Sequence, residues 1–337
     1  MVDLKRPADL PNRLLVGLSA GLDSTVLLQA LVAARESDWP ELDLQAIHVH
    51  HGLQPSAQDF QAQASKTCDA CGVRLQLVHL QIDSEQIRTR GLEAAAREAR
   101  YAAFYRCLAE DQALVLGHHL DDQVETMLLQ WMRGAGLDGL ASMQVWSPVR
   151  RLWRPLLGMS KQQLRKLADA QALSWIEDPT NADQSFHRNR LREVVMPLLL
   201  EMRQGALQAM GRSIELLQQD KWVLDELTQA DWAECLARQV ELDQLAGRGY
   251  GSAQGLPVLN RQRWLMLSEA RGLRVLRHGL AQVGAPMPPA RRLQEFARQL
   301  RHVSHDTRCQ MDVAAAETGE KASFQVSFRA GFVFFSQ

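Results

Sequence analysis

A short segment of small and polar residues, 19–24, lies between two apolar runs near the amino terminus. Its order, Ser-Ala-Gly-Leu-Asp-Ser, is typical of a tight loop between a buried strand and the start of a helix. Backbone N–H groups at such a helix start attract anions, phosphate above all. The Ser24 hydroxyl adds a donor, and the Asp23 carboxylate can hold a cation that offsets phosphate charge. The segment predicts a phosphate-binding loop, with a ligand-free strand and turn as the alternative.

A second polar segment, 117–126, follows the fourth apolar run and carries one histidine and three acids at helical spacing. If the segment is helical, His118, Asp121, Asp122 and Glu125 share one face. Such a cluster beside an anion-binding loop needs a balancing cation, either Mg²⁺ or a cationic substrate. The alternative is the ordinary enrichment of acids at an exposed helix start.

Five arginines are candidates for contacts with phosphate or a nucleotide. Arg97 and Arg100 lie on a segment of strong helix formers, where a salt-bridged surface helix is the alternative interpretation. Arg154 opens an Arg-Pro-Leu-Leu segment, and Arg188 and Arg192 end a polar stretch. For these three the alternative is the electrostatics of a linker.

Two other groups of residues invite a metal or redox interpretation. His48, His50 and His51 are close in sequence, but no further ligands at convincing spacing accompany them, so we reject zinc. Cys68 and Cys71 form a Cys-x-x-Cys on a predicted helix. No partner motif is near, which favours buried helix-face cysteines over a redox or cluster site.

The elements that must position these residues alternate between apolar strands and helical patterns. Strands separated by helices of this length predict an α/β fold with a doubly wound, parallel, five-stranded sheet. Ligands bind such sheets at the carboxyl ends of the strands, where the loop and the acids both fall. The predicted strands cover 14–18, 44–49, 75–80, 113–117 and a short one near 174–176.

Past Pro197 the pattern changes to long helices and a closing hairpin at 323–328 and 331–335. We therefore predict a helix-rich α+β domain after the first, with boundaries at 1–200, 201–245 for a helical connector, and 246–337. Ten arginines lie between Arg261 and Arg308, opposed by three acids. This excess of positive charge indicates either a surface that binds a nucleic-acid phosphate backbone or an ordinary solvated helical surface, and it favours neither over the other.

Bulk composition narrows the class of protein. The chain has 337 residues, of which 46% are hydrophobic, and a net charge of −1. The overall charge therefore gives no indication of nucleic-acid binding. Five widely spaced cysteines, an odd number, indicate reduced thiols and a cytoplasmic setting. No leader pattern and no apolar run of membrane-spanning length is present in the sequence, so we expect no membrane association.

Taken together, these segments resemble the tRNA(Ile)-lysidine synthetases, a family of the PP-loop ATP pyrophosphatases. Residues 220–337 are also similar to the family's first C-terminal domain, whereas we expect the further C-terminal domain of longer members to be missing. One departure is Ala20, where the family usually has glycine. Either Ala20 keeps a negative φ or phosphate binding is weakened. The matching segments, in family order, are 19–24, 48–53, 93–101, 117–126, 133–136, 154–157, 175–181 and 188–192.

The resemblance implies an enzyme that uses ATP and Mg²⁺ to adenylate the wobble cytidine of a tRNA(Ile) with a CAU anticodon. Free L-lysine then replaces AMP at C2 and gives lysidine. It also implies that Asp23 is the Mg²⁺ ligand, that His118 and the three acids bind lysine or handle its proton, and that the five arginines contact phosphate or tRNA. The oligomeric state stays open, a homodimer included. The ATP-binding residues implied are Ser19, Ala20, Gly21, Leu22, Asp23 and Ser24.

Two rival functions stay in view. A tRNA thiolase or an amidotransferase-type ligase would use the same scaffold, but a thiolase needs cysteines at the site, whereas Cys68 and Cys71 fall on an intervening helix. A non-catalytic RNA-binding protein would have lost the chemistry, with Ala20 as a symptom. The intact Asp23, Ser24 and acidic cluster argue against that loss.

Overall fold

The fold is described from a computed structural model, which covers residues 2, 4–50, 57–80, 84–177, 187–249, 256–304, 309–314 and 323–336. Residue contacts divide the chain into two compact units, Met1–Gln219 and Asp220–Gln337. The division falls inside one long helix and within the segment predicted as a connector. Within the described residues, no helix combines the length and the apolar character that a bilayer crossing requires.

The first unit is built on a six-stranded sheet in which five strands are parallel. The strand order is β3-β2-β1-β4-β6-β5, and β5 pairs antiparallel with β6 at the edge. The predicted parallel α/β sheet is therefore confirmed, with one added edge strand. The strands are β1 Arg13–Gly17, β2 Asp43–His50, β3 Arg74–His79, β4 Gln112–Val115, β5 Trp146–Ser147 and β6 Leu152–Trp153.

The predicted position of the fifth parallel strand was wrong. Residues 174–176 form no strand, and Ile176 instead donates its N–H to the Ala20 carbonyl at 3.0 Å. The fifth parallel strand is β6, whose Leu152 and Trp153 are fully buried. A strand of two residues between arginines is too short to show a period in the sequence, so its position depends on pairing with β4.

Helices cover both faces of this sheet. Successive side chains of a strand point to opposite faces, and β1 follows this rule: Leu14 and Val16 enter one core cluster, whereas Leu15 enters the other. A doubly wound sheet requires this two-sided burial. The helices of the first unit are α1 Leu22–Glu36, α2 Ala57–Cys71, α3 Ser84–Arg90, α4 Leu92–Cys107, α5 Leu120–Met132, α6 Leu137–Leu140, α7 Lys161–Ala170, α8 His187–Arg190, a π-helical turn Leu191–Val195, α9 Met196–Met202 and the first half of α10 Ala206–Cys235.

The second unit packs helices against a four-stranded antiparallel sheet of order β7-β10-β9-β8. Its core gathers side chains of both, among them Trp264, Leu276 and Phe328. The predicted helix-rich α+β unit with a closing hairpin is confirmed, since β9 and β10 pair in register. The elements are α11 Gln239–Gly247, β7 Val258–Asn260, α12 Arg261–Leu265, α13 Glu269–Gln282, α14 Ala290–His302, β8 Cys309–Ala314, β9 Ser323–Arg329 and β10 Phe332–Ser336.

Candidate nucleotide-binding and catalytic site

Residues 19–24 connect β1 to α1 at the carboxyl end of the central strand, as the sequence predicts. The two serine hydroxyls close the loop on itself, because Ser24 Oγ lies 3.0 Å from Ser19 Oγ and accepts from the Ser19 N–H at 3.1 Å. Ser24 Oγ also lies 3.2 Å from the Gly21 carbonyl, to which it can donate. These hydrogen bonds fix the loop, which leads into the start of α1 with Asp23 in its first turn.

Ala20 has a φ of +64° and is completely buried. The first alternative of the sequence analysis, a negative φ at this position, was therefore wrong. An alanine in the left-handed region costs about 1–2 kcal/mol, because its Cβ crowds the following carbonyl. Such strain persists only where neighbouring contacts fix the backbone, and the Ile176 N–H to Ala20 O bond is one of them.

Gly117, just past β4, brings that strand's end against the loop. A Cβ at Gly117 would lie 3.0 Å from the Asp23 carbonyl oxygen and 3.3 Å from the Ser24 nitrogen. A glycine is needed here because two backbones approach closely. This contact places the segment that carries His118 and the acids directly beside the loop.

His119 joins the loop to the acids, and the sequence analysis had singled out its neighbour His118 instead. The His119 ring lies 3.7 Å from Asp23, 3.4 Å from Asp121 and 3.5 Å from Asp122, and the residue is 2% exposed. Burial alone would lower the pKa of His119, but the surrounding carboxylates raise it above its ordinary value. The signal in the sequence was its place directly before the acids, where a helix N-cap falls.

The three acids of α5 have different surroundings. Asp122 accepts the His119 N–H at 3.0 Å, and Asp121 accepts the N–H of Lys161, at the start of α7, at 2.8 Å. Burial raises the pKa of Asp122, but His119 and Arg188 outweigh it and lower the value to about 2. Burial opposes ionisation of Asp121 too, yet its hydrogen bonds and His119 lower its pKa. Both groups are carboxylates at neutral pH.

Glu125 is 1% exposed and is held by Arg188 and Arg192. Arg188 Nε donates to Glu125 Oε2 at 2.8 Å, and Arg192 Nε donates to Glu125 Oε1 at 2.7 Å. Arg188 also reaches Asp122 at 2.9 Å. The structure thus brings these arginines onto the acids. Arg192 stands in the π-helical turn, a local distortion that is frequent at functional sites.

The other three candidate arginines lie with His118 in a cationic region of the first unit. Burial lowers the pKa of Arg100 and of Arg154, and Arg97 lowers both further. Arg97 lies over the Tyr101 ring at 5.1 Å. The pKa of His118 falls to about 3, mainly through burial, so its imidazole is neutral.

Buried polar atoms without a hydrogen-bond partner mark the same region. They are Arg100 Nε, Arg154 Nε and His118 Nδ1, with Asp23 Oδ1 in the loop. A buried polar atom that lacks a partner costs free energy, so a cluster of such atoms indicates groups that await a ligand. The donors suit an anion or a nucleobase.

Asp23 Oδ1 is the atom that fits a metal ion. It is buried without a partner, and burial raises the pKa of Asp23. Among the described residues, no group of three or more histidines, cysteines or acids is arranged to hold a metal by itself. Mg²⁺ usually takes one or two carboxylates and completes its shell with phosphate oxygens and water, and a single free oxygen on the phosphate-binding loop fits that pattern.

Most arginines of the basic stretch in the second unit serve internal contacts. Arg261 donates to the Leu300, Arg301 and Val303 carbonyls, and Arg271 pairs with Asp231. Within the part of the chain that the structure describes, Arg277 and Arg291 have no acid partner. His305 to Arg308 lie outside the described residues, so the stretch is described only as far as Ser304.

The cysteine pair behaves as predicted. Cys68 and Cys71 lie on α2 with buried side chains, and burial raises the pKa of the Cys68 thiol to about 12. Gln29 donates a hydrogen bond to Cys71 Sγ at 3.1 Å. Thiols that stay protonated are poor nucleophiles and poor metal ligands.

Comparison with known proteins agrees with this architecture. The family model of the PP-loop domain matches residues 3–199, and that of the TilS substrate binding domain matches residues 259–318. A U34-tRNA thiolase with a [4Fe-4S] cluster, from Methanococcus maripaludis, has a similar fold at a TM-score of 0.54 and 22% identity, over 64% of this chain and 76% of that one. The fold and the loop thus define a PP-loop protein, a family that uses ATP.

Curated relatives narrow the class further. The tRNA(Ile)-lysidine synthase of Serratia proteamaculans is 39% identical over 92% of this chain and 67% of its own length. The enzyme of Yersinia pseudotuberculosis is 39% identical over 91% of this chain and 64% of its own length. The enzyme of Pseudomonas putida is 44% identical over 79% of this chain and 60% of its own length. This chain belongs to the tRNA(Ile)-lysidine synthase family. It spans about two thirds of the length of the curated relatives that it matches.

Proposed function

We propose that this protein is an ATP-dependent ligase that joins the side-chain amine of lysine to C2 of the wobble cytidine in a tRNA(Ile) with a CAU anticodon. Its products are lysidine, AMP and pyrophosphate. The observation that carries the proposal is the contact between loop and acids: His119 bridges Asp23 to Asp121 and Asp122 at 3.4–3.7 Å. A phosphate site at the loop and a cation site at the acids would then lie side by side, and the two-step reaction needs both.

The loop residues have a part in the first step. A cytosine carbonyl oxygen is a poor leaving group, so the base must be activated before it is substituted. In this proposal the start of α1 and the Ser19 and Ser24 hydroxyls would bind the β- and γ-phosphates. Asp23 Oδ1 would hold Mg²⁺, which neutralises phosphate charge when bound.

The acids have a part in the second step. Four carboxylates, those of Asp23, Asp121, Asp122 and Glu125, lie together, and they outnumber the two guanidiniums that pair with Asp122 and Glu125. Carboxylates attract the lysine ammonium group. One of these acids would then accept the proton that the amine must lose before attack.

The cationic region would receive the RNA. Arg100 and Arg154 offer unpartnered donors and the neutral His118 offers a ring nitrogen, and the exposed Arg97 adds a further positive charge. Single-stranded RNA is usually bound through unstacked bases that enter such pockets. We assign this region to the wobble cytidine and its flanking phosphate. Arg188 and Arg192 are assigned to the orientation of Glu125 and Asp122, with Arg188 near enough to the cationic region to contact phosphate as well.

The test is incubation of the full chain with tRNA(Ile) transcript, ATP, Mg²⁺ and isotope-labelled lysine, followed by mass analysis of the nucleosides. We expect labelled lysidine with AMP in equal amount. A transcript with uridine at the wobble position is the matched control and should stay unmodified. AMP formation without lysidine, or lysidine in the absence of ATP, would contradict the proposal.

A further inference from the structure

His48 makes a side-chain hydrogen bond to the backbone of Leu18, the residue directly before the phosphate-binding loop. It lies on β2 beside β1, is 4% exposed, and its Nδ1 is 2.8 Å from the Leu18 carbonyl oxygen. A carbonyl can only accept, so Nδ1 carries the proton in this bond. Burial lowers the pKa of His48, which keeps the ring neutral with a single N–H.

The hydrogen bond lies just past the last residue pair of the β1–β2 ladder. The β1–β2 ladder runs to Gly17 and Ile47, and the Leu18 N–H still donates to the Ile47 carbonyl at 2.9 Å. Among the described residues, no backbone N–H of a neighbouring strand donates to the Leu18 carbonyl oxygen, which accepts a hydrogen bond from the His48 imidazole instead. A side chain thus replaces the backbone donor at the last residue before the loop.

The loop needs such a support because of Ala20. Two hydrogen bonds bracket its left-handed backbone: His48 to the carbonyl of Leu18 before it, and Ile176 N to its own carbonyl at 3.0 Å. A strained backbone is stable only when its surroundings fix it at more than one point. Glycine would take the same φ at no steric cost and would depend less on either bond.

We propose that His48 is a positioning residue for the phosphate-binding loop, and that it compensates for the strain that Ala20 introduces. It touches no substrate in this account and acts through the Leu18 carbonyl. The inference rests on the proposed binding of ATP at the loop, but not on the chemistry that follows.

The test compares three variants of His48 in the full chain. In His48→Asn the amide nitrogen stands on Cγ, as Nδ1 does, and keeps the bond to Leu18. In His48→Gln the nitrogen is one carbon farther, and His48→Leu has no donor. We expect the Kd for ATP, measured by equilibrium dialysis with Mg²⁺, to stay within about twofold for Asn and to rise about tenfold for Gln and Leu. In the ligation assay KM for ATP should follow Kd, with kcat little changed.

Ala20→Gly supplies the second measurement. In the His48→Leu background it should restore most of the lost ATP affinity, and this gain should exceed the gain that the same change produces in the wild-type background by at least about threefold. Equal Kd values for Asn, Gln and Leu, or additive effects of the Ala20 and His48 changes, would overturn the proposal. If His48→Leu does not fold, the Asn and Gln pair decides by itself.

Failure of the proposed function gives a different result. In that case ATP binds with the predicted order of affinities, yet no lysidine forms. If ATP does not bind the wild-type chain at all, the loop assignment and this inference fall together, whereas equal affinities across the series with normal lysidine formation refute His48 alone.

Discussion

Each unit contains a cluster of arginines and acids, and the two clusters differ in what they leave unpaired. In the second unit Arg271 donates hydrogen bonds to both carboxylate oxygens of the buried Asp231. Arg274 donates to the Thr228 hydroxyl and to the Asp225 carboxylate, each at 3.0 Å. In the first unit Arg188 and Arg192 hold Glu125 and Asp122 just as firmly. The first cluster, however, also adjoins buried polar atoms without partners, Asp23 Oδ1 and His118 Nδ1, whereas both oxygens of Asp231 are hydrogen-bonded.

Charge burial is therefore a poor marker of function in this molecule. Buried Arg–carboxylate pairs satisfy each other and can be purely structural. What marks the first cluster as a site is the set of groups beside it that the protein does not satisfy, together with a loop that ends a central strand.

The largest expected effect is that of Asp23→Asn. Loss of the carboxylate that would hold the metal should lower the rate of lysidine formation by about 10²–10³-fold. The melting temperature should change little, because Asp23 Oδ1 has no partner to lose and the contact of Oδ2 with His119 is long, at 3.7 Å. Asp69→Asn, an exposed acid on α2, is the matched control. Equal rates of lysidine formation by the two variants would contradict the proposal that Asp23 binds the metal ion.

A matched pair of substitutions tests the two clusters directly. Glu125→Gln leaves two half-buried guanidiniums facing a buried amide and should lower the free energy of unfolding by about 3–5 kcal/mol. It should also impair lysidine formation beyond what the loss of folded protein explains. Asp231→Asn should cost less, about 1–3 kcal/mol, since Arg271 is partly exposed and can regain water.

For the same pair, ATP affinity separates structure from function. Both variants should keep the affinity for ATP at a temperature where each is folded, since neither acid belongs to the loop. Urea unfolding followed by circular dichroism gives the stabilities. Loss of ligation in Asp231→Asn with its stability intact would mean that the second cluster is functional too.

The pH dependence of stability should carry a contribution from His118. Its pKa is lowered to about 3 in the folded protein, from an ordinary value of 6.5. Its contribution to stability is therefore complete above pH 6.5 and is lost as the pH falls from 6.5 towards 3. His118→Asn should flatten that part of the profile of unfolding free energy. A variant profile parallel to that of the wild type would show that His118 titrates normally.

The smallest effect compares two alanines with positive φ, Ala20 at +64° and Ala172 at +50°. Ala172 is exposed, so Ala172→Gly should stabilise by up to about 1 kcal/mol through relief of strain. Ala20→Gly should gain less, because a buried methyl group is lost with the strain. Thermal melts of the two variants measure the difference. A larger gain at Ala20 would mean that the loop stores more strain than its contacts suggest.

The parts of this architecture that depend on local pattern were predictable. The apolar runs at β1 to β4 and the turn at residues 19–24 predict strands, a helix start and their meeting at one sheet edge. β6 was missed because two residues carry no period, and the positive φ of Ala20 because it depends on contacts from Ile176 and His48.

The composition of the site was predictable in part. Asp121, Asp122 and Glu125 lie on α5, as their spacing indicates, whereas the prediction that His118 shares this helical face was wrong, because the helix begins at Leu120. The partners of these acids were not predictable, because Arg188 and Arg192 come from a segment more than sixty residues later. Long-range pairing of that kind depends on tertiary packing and leaves no signal in local sequence.

The central claim is that the loop at residues 19–24 holds the phosphates of ATP beside the acids of α5. The most direct measurement is a crystal structure of the full chain with a non-cleavable ATP analogue and Mg²⁺. This account predicts the β- and γ-phosphates against the start of α1, with the metal ion on Asp23. Nucleotide bound elsewhere, with that loop free of phosphate, would contradict it.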